Sequence, residues 1–381
     1  MGLFNKKTET TTVRMITETT GGFYSWNGRA YQSDIVRACI RPAALAGSKL
    51  EVKHIRETKD KPGIVVNPEP YMQLLLSEPN ALMSMPKLLE KMFTQLKLNN
   101  NAFALIVRDP NGYPLQIIPI DCSSAEVLDG SELYLRFLMR DGKRYVFKYS
   151  DIIHLRRDYN ASTLFGESNM GALQSLMGII TTTDQGIVAA IKNSSVIRWL
   201  LKFTTSTRPE DIEAAVNKFA DSFLSINSGR GVAGVDTKAD AIQIEPKEYV
   251  PNAAQMDKTV QRLYSLFGVN DKIVQNKATE DENNAYFEGD IEPIVVDLQE
   301  EMTRKLFSRR ERAWGNRIVC DAGLINAASY NTKLSLVAMV DRGALTANEW
   351  RRTMNLPPID GGDTPIRRLD TMPVTEEGGN E

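Results

Sequence analysis

Asp151 and His154 stand three residues apart in Asp151-Ile-Ile-His154, close enough for a carboxylate to orient an imidazole as a general base. No nucleophile is visibly associated with them, and a polar pair at the end of a strand accounts for the same residues. His54 is the other of only 2 histidines, so a histidine relay or metal cluster has almost no material. The 3 cysteines, Cys39, Cys122 and Cys320, are far apart with no histidine nearby. They read as reduced thiols of an intracellular protein, suggesting neither a disulfide framework nor a zinc site. Gly229-Arg-Gly-Val-Ala-Gly234 has the G-x-G-x-x-G spacing that lets a pyrophosphate approach a helix N-terminus. Here it follows a predicted helix and precedes a predicted strand, the reverse of what that mechanism needs, so a turn is the better reading. Asp360 and Asp363 flank two glycines and offer carboxylates to a cation, but with no further ligands at fixed spacing a surface turn after Pro357-Pro358 is the better reading.

Two groups of charged residues carry more. Arg304, Lys305, Arg309, Arg310, Arg312 and Arg317 are opposed only by Glu311. Such a run can pair with phosphates, or it can form a solvated helix face or a strip of ion pairs between subunits. Asp271, Lys272, Lys277, Glu280, Asp281 and Glu282 fall in the stretch Asn270 to Asn284, which is polar without periodicity and reads as an exposed loop. Over the whole chain 46 Lys and Arg face 48 Asp and Glu, a net charge of −2. That balance excludes a surface that clings everywhere to nucleic acid, so any such contact is local.

These residues need elements to hold them, and 381 residues suffice for two or three substructures. Residues 1–30 read as a polar, Thr-rich flexible arm with no secretory signal, and with Lys6 where a myristoylation site wants Ser or Thr. Leu88, Leu89, Met92, Phe93 and Leu96 repeat at helical spacing after Ser84 and Pro86. Strands are predicted over 102–107, 115–120, 132–139, 144–148 and 152–155, with turn chemistry at Asp109-Pro-Asn-Gly112 and Asp141-Gly142. Together these make a compact α+β domain. Residues 168–200 predict one long helix weakened by Gly178 and Gly186, and Asp184 disqualifies its apolar stretch as a membrane span. Thr207-Arg-Pro-Glu210 is a capping box opening a helix with Ile212, Val216, Phe219 and Phe223 on its buried face, and Ala241 to Ile244 reads as a strand. Another helix starts near Pro251 with Met256, Val260, Leu263 and Phe267 on one stripe. The longest stripe is Phe287, Ile291, Ile294, Leu298, Met302 and Leu306, with Pro293 kinking that helix or marking its true start.

Near the end, Thr346 and Glu349 form a capping box, Gly343 closes the helix before it, and Pro357-Pro358 stops the helix it opens. The pattern from Arg342 to Asp363, Gly-Ala-Leu-Thr-Ala-Asn-Glu-Trp-Arg leading to Leu-Pro-Pro-Ile-Asp-Gly-Gly-Asp, resembles the C-terminal part of the portal proteins of tailed bacteriophages, in their shorter-chain branch. Leu75-Leu-Ser-Glu-Pro-Asn80, Leu98-Asn-Asn-Asn-Ala-Phe103, Asp109-Pro-Asn-Gly-Tyr-Pro114, Asp151-Ile-Ile-His154 and Phe165-Gly-Glu-Ser168 look like wing-domain motifs of that family. The chain departs from it with Asn100 where the family usually has glycine, and without Pro-rich wording near Val269-Asn270.

The resemblance implies an α+β portal fold: a flexible arm (1–30), an α+β wing (31–166), a first stem helix (167–201), a small αβ clip (202–248) and a second stem helix (249–268). A tunnel loop (269–285), a kinked tunnel helix (286–316), a helical crown (317–368) and a disordered acidic tail (369–381) follow. It implies a ring of about twelve subunits at one capsid vertex through which double-stranded DNA is packaged and ejected. Asp271, Lys272, Lys277, Glu280, Asp281 and Glu282 would face the DNA, and Arg304, Lys305, Arg309, Arg310 and Arg312 would meet phosphates or a neighbouring subunit. Glu210, Asp211, Glu213 and Lys218 of the clip would meet the terminase large subunit or the head–tail adaptor. Major capsid and scaffolding proteins are the other implied partners. The location is the virion, with the host cytoplasm during assembly; no membrane, metal, cofactor or catalytic residue is implied. Stem helices with one apolar stripe would leave a lone subunit under-packed. The competing reading is an intracellular hydrolase or nucleotide-dependent enzyme using Asp151 and His154, and a third is a DNA-binding module using the basic run after Arg304.

Overall fold

The computed structural model describes residues 12–14, 30–57, 64–128, 132–160, 164–194, 198–203, 208–219, 239–244, 253–321, 330–354 and 356–366. Most of the expected arm, Thr207, Phe223, the Gly229 to Gly234 turn and the acidic tail lie outside them. The chain forms two units, one of residues 1–21, 28–173 and 263–381 and one of 22–27 and 174–262.

The larger unit opens with β1 (Thr12–Arg14), α1 (Asp34–Ser48), β2 (Glu51–Glu57), β3 (Ile64–Val66), α2 (Pro70–Ser77) and α3 (Met85–Asn99). Strands β4 (Asn101–Arg108), β5 (Pro114–Pro119), β6 (Cys122–Leu128), β7 (Tyr134–Met139), β8 (Arg144–Lys148) and β9 (Ile152–Arg156) follow. The five expected strands are present, joined by β1, β2, β3 and β6, which the sequence pattern did not announce; β1 falls within the stretch read as a flexible arm and pairs with β6. Pairing is antiparallel in three sheets of this unit, ordered β1-β6-β7-β8, β5-β4-β9 and, with a later strand β12 (Asn316–Asp321), β12-β2-β3.

Helix α3 buries the expected stripe of Leu88, Leu89, Met92, Phe93 and Leu96. Ser84 precedes it in extended backbone but makes no side-chain cap, so the start is set by Pro86, whose missing N–H costs nothing in the first turn. Gly47 of α1 meets α3 so closely that a Cβ there would lie 2.6 Å from Phe93 Cγ. Strand β4 divides two cores by its two-residue period. Ala102, Ala104 and Ile106 join Met92, Phe93 and Ile153, while Phe103 joins Phe137, Ile152 and Phe165.

The smaller unit holds most of α4 (Met170–Ser194), then β10 (Arg198–Phe203), α5 (Pro209–Phe219), β11 (Ala239–Ile244) and the start of α6 (Ala253–Phe267). The expected helix to Leu200 is too long, because Leu200 pairs with Ile242 in the β10–β11 hairpin. Asn193 and Ser194 are weak helix formers, and the Trp- and Leu-rich run after them suits a strand. In α5, Val216 is exposed instead of buried.

The polar stretch after Phe267 is not a loop. Asn270 caps a single turn, α7 (Asp271–Val274), by accepting from the Ile273 N–H, and Ile273 is buried. Thr279 and Glu282 form a full capping box on α8 (Glu280–Tyr286). A π-helical turn over Phe287–Ile291 then joins α8 to α9 (Glu292–Leu306), with Pro293 in the first turn of α9. The helical backbone thus runs on from α8 through the π turn into α9, and Pro293 sits directly after that turn. That helix does not reach residue 316: a break at Phe307 leads to α10 (Arg309–Ala313) and the unforeseen β12. The chain closes with α11 (Tyr330–Ser335), α12 (Val337–Asp341) and α13 (Ala347–Thr353). Among the described residues no helix is long and apolar enough to cross a membrane.

Candidate functional site

The mixed-charge segment is held from below by side chains the sequence reading did not single out. Lys97, in the last turn of α3, has a fully buried ammonium. It donates to the Phe267 carbonyl at 3.1 Å and to Asp290 Oδ2. The other carboxylate oxygen, Oδ1, accepts from Arg157 at 3.0 Å. Burial, then the neighbouring Arg157, lowers Lys97 to about 8. Gly268, at φ +69, lies so close that a Cβ would sit 2.8 Å from Asp290 Oδ1. The only sequence hint was Lys97 next to the apolar stripe of α3, a place where a lysine usually reaches out to water.

Within the segment Lys272 pairs with Glu282, which also caps Thr279. Hydrogen bonding with Glu282 raises Lys272, and the Lys272 hydrogen bond lowers Glu282. Lys277 is exposed and donates to Gln275 at 2.9 Å. Asp271, Glu280 and Asp281 are exposed.

The basic run is not one surface. Lys305 is buried beside Glu301, donates to the Tyr149 carbonyl and lies 3.7 Å from that ring's centre. Burial, offset by Glu301, lowers it to about 8, and it cannot meet a phosphate. Arg317 pairs with Glu57 at 3.2 Å. Arg304, Arg309 and Arg310 are exposed and form no described ion pair, whereas Arg312 is half-buried. In α5, Glu210, Asp211 and Glu213 are exposed; the Lys218 side chain lies outside the described residues.

Asp151 and His154 are not brought together. Asp151 accepts from Arg108 at 2.9 Å. His154 is fully buried, stacked on Phe103 with ring centres 4.4 Å apart. Because Asn101 Nδ2 donates to the Asn99 and Gly166 carbonyls, its Oδ1 is the acceptor for His154 Nε2–H at 3.1 Å. Burial drives the imidazole well below its ordinary range and keeps it neutral. The Gly166 N–H also donates to Asn101 Oδ1 at 2.9 Å, and a Cβ on Gly166 would lie 2.1 Å from the Arg157 carbonyl. Asn100 ends α3 at φ 56, where glycine would be easy, and donates to Asp158 and the Glu167 carbonyl. Three separate motifs, Leu98 to Phe103, Asp151 to His154 and Phe165 to Ser168, therefore close into one buried polar knot. Cys39, Cys122 and Cys320 are buried, and burial raises each to about 12.

The C-terminal pattern has an equally physical reason. Thr346 and Glu349 make both halves of the capping box, and Gly343 takes φ +72 after α12. Asn348 accepts from the Ile359 N–H at 2.9 Å and donates to its carbonyl at 3.1 Å. Gly362 packs so tightly that a Cβ would lie 2.4 Å from Asn348 Oδ1. Asp360 and Asp363 are exposed on that turn. Among the described residues no cluster of three His, Cys, Asp or Glu is placed to hold a metal.

A family model described as "Phage portal protein" matches residues 34–355, which spans the knot, the mixed-charge segment and most of the C-terminal pattern. The chain belongs to the phage portal protein family. The portal protein of Enterobacteria phage HK97 is 25% identical over 325 residues, covering 82% of this chain and 76% of that one. The probable portal protein of Lactococcus phage p2 is 25% identical over 188 residues, 47% of this chain and 50% of its own length. The fold is similar to a chain in the virion of a native gene transfer agent particle, with TM-score 0.61 and 15% identity over 90% of this chain and 93% of that one. It is also similar to an HK97-family phage portal protein from Corynebacterium diphtheriae, with TM-score 0.53 and 11% identity over 83% and 99%. The polar knot and the Asn348 turn are thus parts of an α+β portal fold.

Proposed function

We propose that copies of this portal chain close into a ring of about twelve at one capsid vertex and that double-stranded DNA passes through the ring's centre during packaging and ejection. The family match over residues 34–355 carries this reading. The stem region supports it: from Gly178 to Ala189 no described side chain of α4 is buried, and Ile179 and Val188 are 44% and 50% exposed. Ile179 and Val188 are about two and a half turns apart and so lie on opposite faces of α4. Apolar side chains exposed on both faces call for a neighbour on each side, and head-to-tail contacts close when the subunit rotation divides a full turn.

In this ring residues 269–285 line the channel. DNA carries one charge per about 1.7 Å of axis, and every phosphate neutralised adds affinity. A lining of mixed sign avoids holding the duplex fast. With Lys272 tied to Glu282, Lys277 is the more available cation, while Asp271, Glu280 and Asp281 prevent sticking. Arg304, Arg309 and Arg310 serve phosphates or carboxylates of a neighbouring subunit. The exposed Glu210, Asp211 and Glu213 of α5 offer docking charge to the packaging ATPase, the terminase large subunit, or to the head–tail adaptor. Capsid and scaffolding proteins surround the ring during assembly in the host cytoplasm. The role is mechanical, as family members are generally structural components.

Charge reversal tests the channel assignment. Lys272→Glu with Lys277→Glu is expected to lower the DNA retained per particle without preventing ring formation. Particles that package and hold DNA as before would remove residues 269–285 from the channel.

A further inference from the structure

The segment 268–289 lies between Phe267 and Asp290, and both of those residues are bound by the same buried atom, Lys97 Nζ. Val269 and Ile273 are buried and Tyr286 and Phe287 pack against the core, so apolar contacts hold the segment as well, and Lys97 adds one point that joins its two ends. Arg157 adds a second cation on the far oxygen of Asp290. The π turn bears on the same point, since Asp290 lies inside it. One residue more or less in a helix turns everything beyond by about 100°. Removing that residue would rotate either Asp290 away from Lys97 or α8 away from its present direction. Gly268 closes the arrangement, because only a residue without a side chain leaves Asp290 its place. A buried ion pair is weak evidence of stability, since an apolar pair of similar volume often does as well. Its directional hydrogen bonds do specify geometry.

We propose that Lys97, with Asp290 and Arg157, is a positioning cluster. One ammonium fastens both ends of the 268–289 segment and so sets where its mixed-charge side chains stand. The part of the inference that concerns the channel rests on residues 269–285 facing DNA.

The test is hydrogen–deuterium exchange on the full-length protein, comparing Lys97→Met, the double variant Lys97→Met with Asp290→Asn, and the unaltered chain. Lys97→Met removes both charge-assisted hydrogen bonds of the ammonium and is expected to speed amide exchange within 268–289 by about ten- to a hundredfold relative to α3 and β4. The double variant is expected to regain most of the lost thermal stability while its segment stays fast. Exchange within 268–289 that is unchanged in Lys97→Met, or that returns to normal together with stability in the double variant, overturns the cluster's positioning role. Fast exchange with unaltered DNA packaging would leave the positioning role standing and overturn the DNA-facing assignment.

Discussion

His154 lies enclosed with Phe103 on one side and Phe165 near its edge, donating to Asn101 and facing the cations Arg156 and Lys305 at a distance. Its folded-state affinity for a proton is depressed, so an unfolded chain takes up a proton below about pH 6.5 that the folded chain refuses. Stability present above that pH should be lost as pH falls, and His154→Gln should flatten the acid limb of a urea titration. His154→Ala should cost about 2–4 kcal/mol through its cavity and the loss of one of the two donors to Asn101 Oδ1, the Gly166 N–H remaining. Lys97 behaves differently. It faces Asp290 and Arg157, with Asp158 beyond, and its value near 8 lies below the 10.5 of a free lysine. Between those values the unfolded chain binds the extra proton, so this group's contribution to global stability rises with pH. Over the same window the ion pair to Asp290 is lost. Protection of the 268–289 amides, exchange being taken relative to its intrinsic rate at each pH, should therefore fall from about pH 7 to 9.5 relative to α3 and β4, while urea midpoints do not fall on this group's account; protection that stays constant would contradict the assignment.

At the scale of elements, what was readable depended on whether a segment's signal was local. The α3 stripe, the strands β4, β5, β7, β8 and β9, and the Thr346–Glu349 box all carry their own periodicity or caps, and they appear where expected. Residues 270–284 misled because composition outweighed two short caps: Asn270 before Ile273, and Thr279 with Glu282, are visible in the sequence once polarity is set aside. The end of α4 and the strand β12 depend on partners far along the chain, Ile242 and β2, which no local pattern reveals. The knot around Asn101 was half legible. Its motifs were recognisable separately, but their meeting depends on tertiary contacts such as Gly166 against Arg157. Capping gives a direct check. Thr279→Ala should cost α8 about 1 kcal/mol, and Asn348→Ala should free the 356–363 turn at about 1–3 kcal/mol. Local exchange or proteolysis confined to those segments would confirm both, and a global loss of cooperativity would not fit.

At the scale of the whole molecule, one copy leaves apolar and charged surfaces uncovered. In the proposed ring the opposite α4 faces bearing Ile179 and Val188 and the exposed Arg304, Arg309 and Arg310 are the surfaces that adjoining copies would cover. Ile179→Asp with Val188→Asp should leave the folded monomer intact by circular dichroism and abolish its closure into rings. The most direct measurement is electron microscopy of the purified full-length chain over a range of protein concentration and salt. The proposed ring requires annular particles of about a dozen subunits with an open centre wide enough for a DNA duplex. Single copies under every condition, or a closed assembly with no central channel, would contradict it.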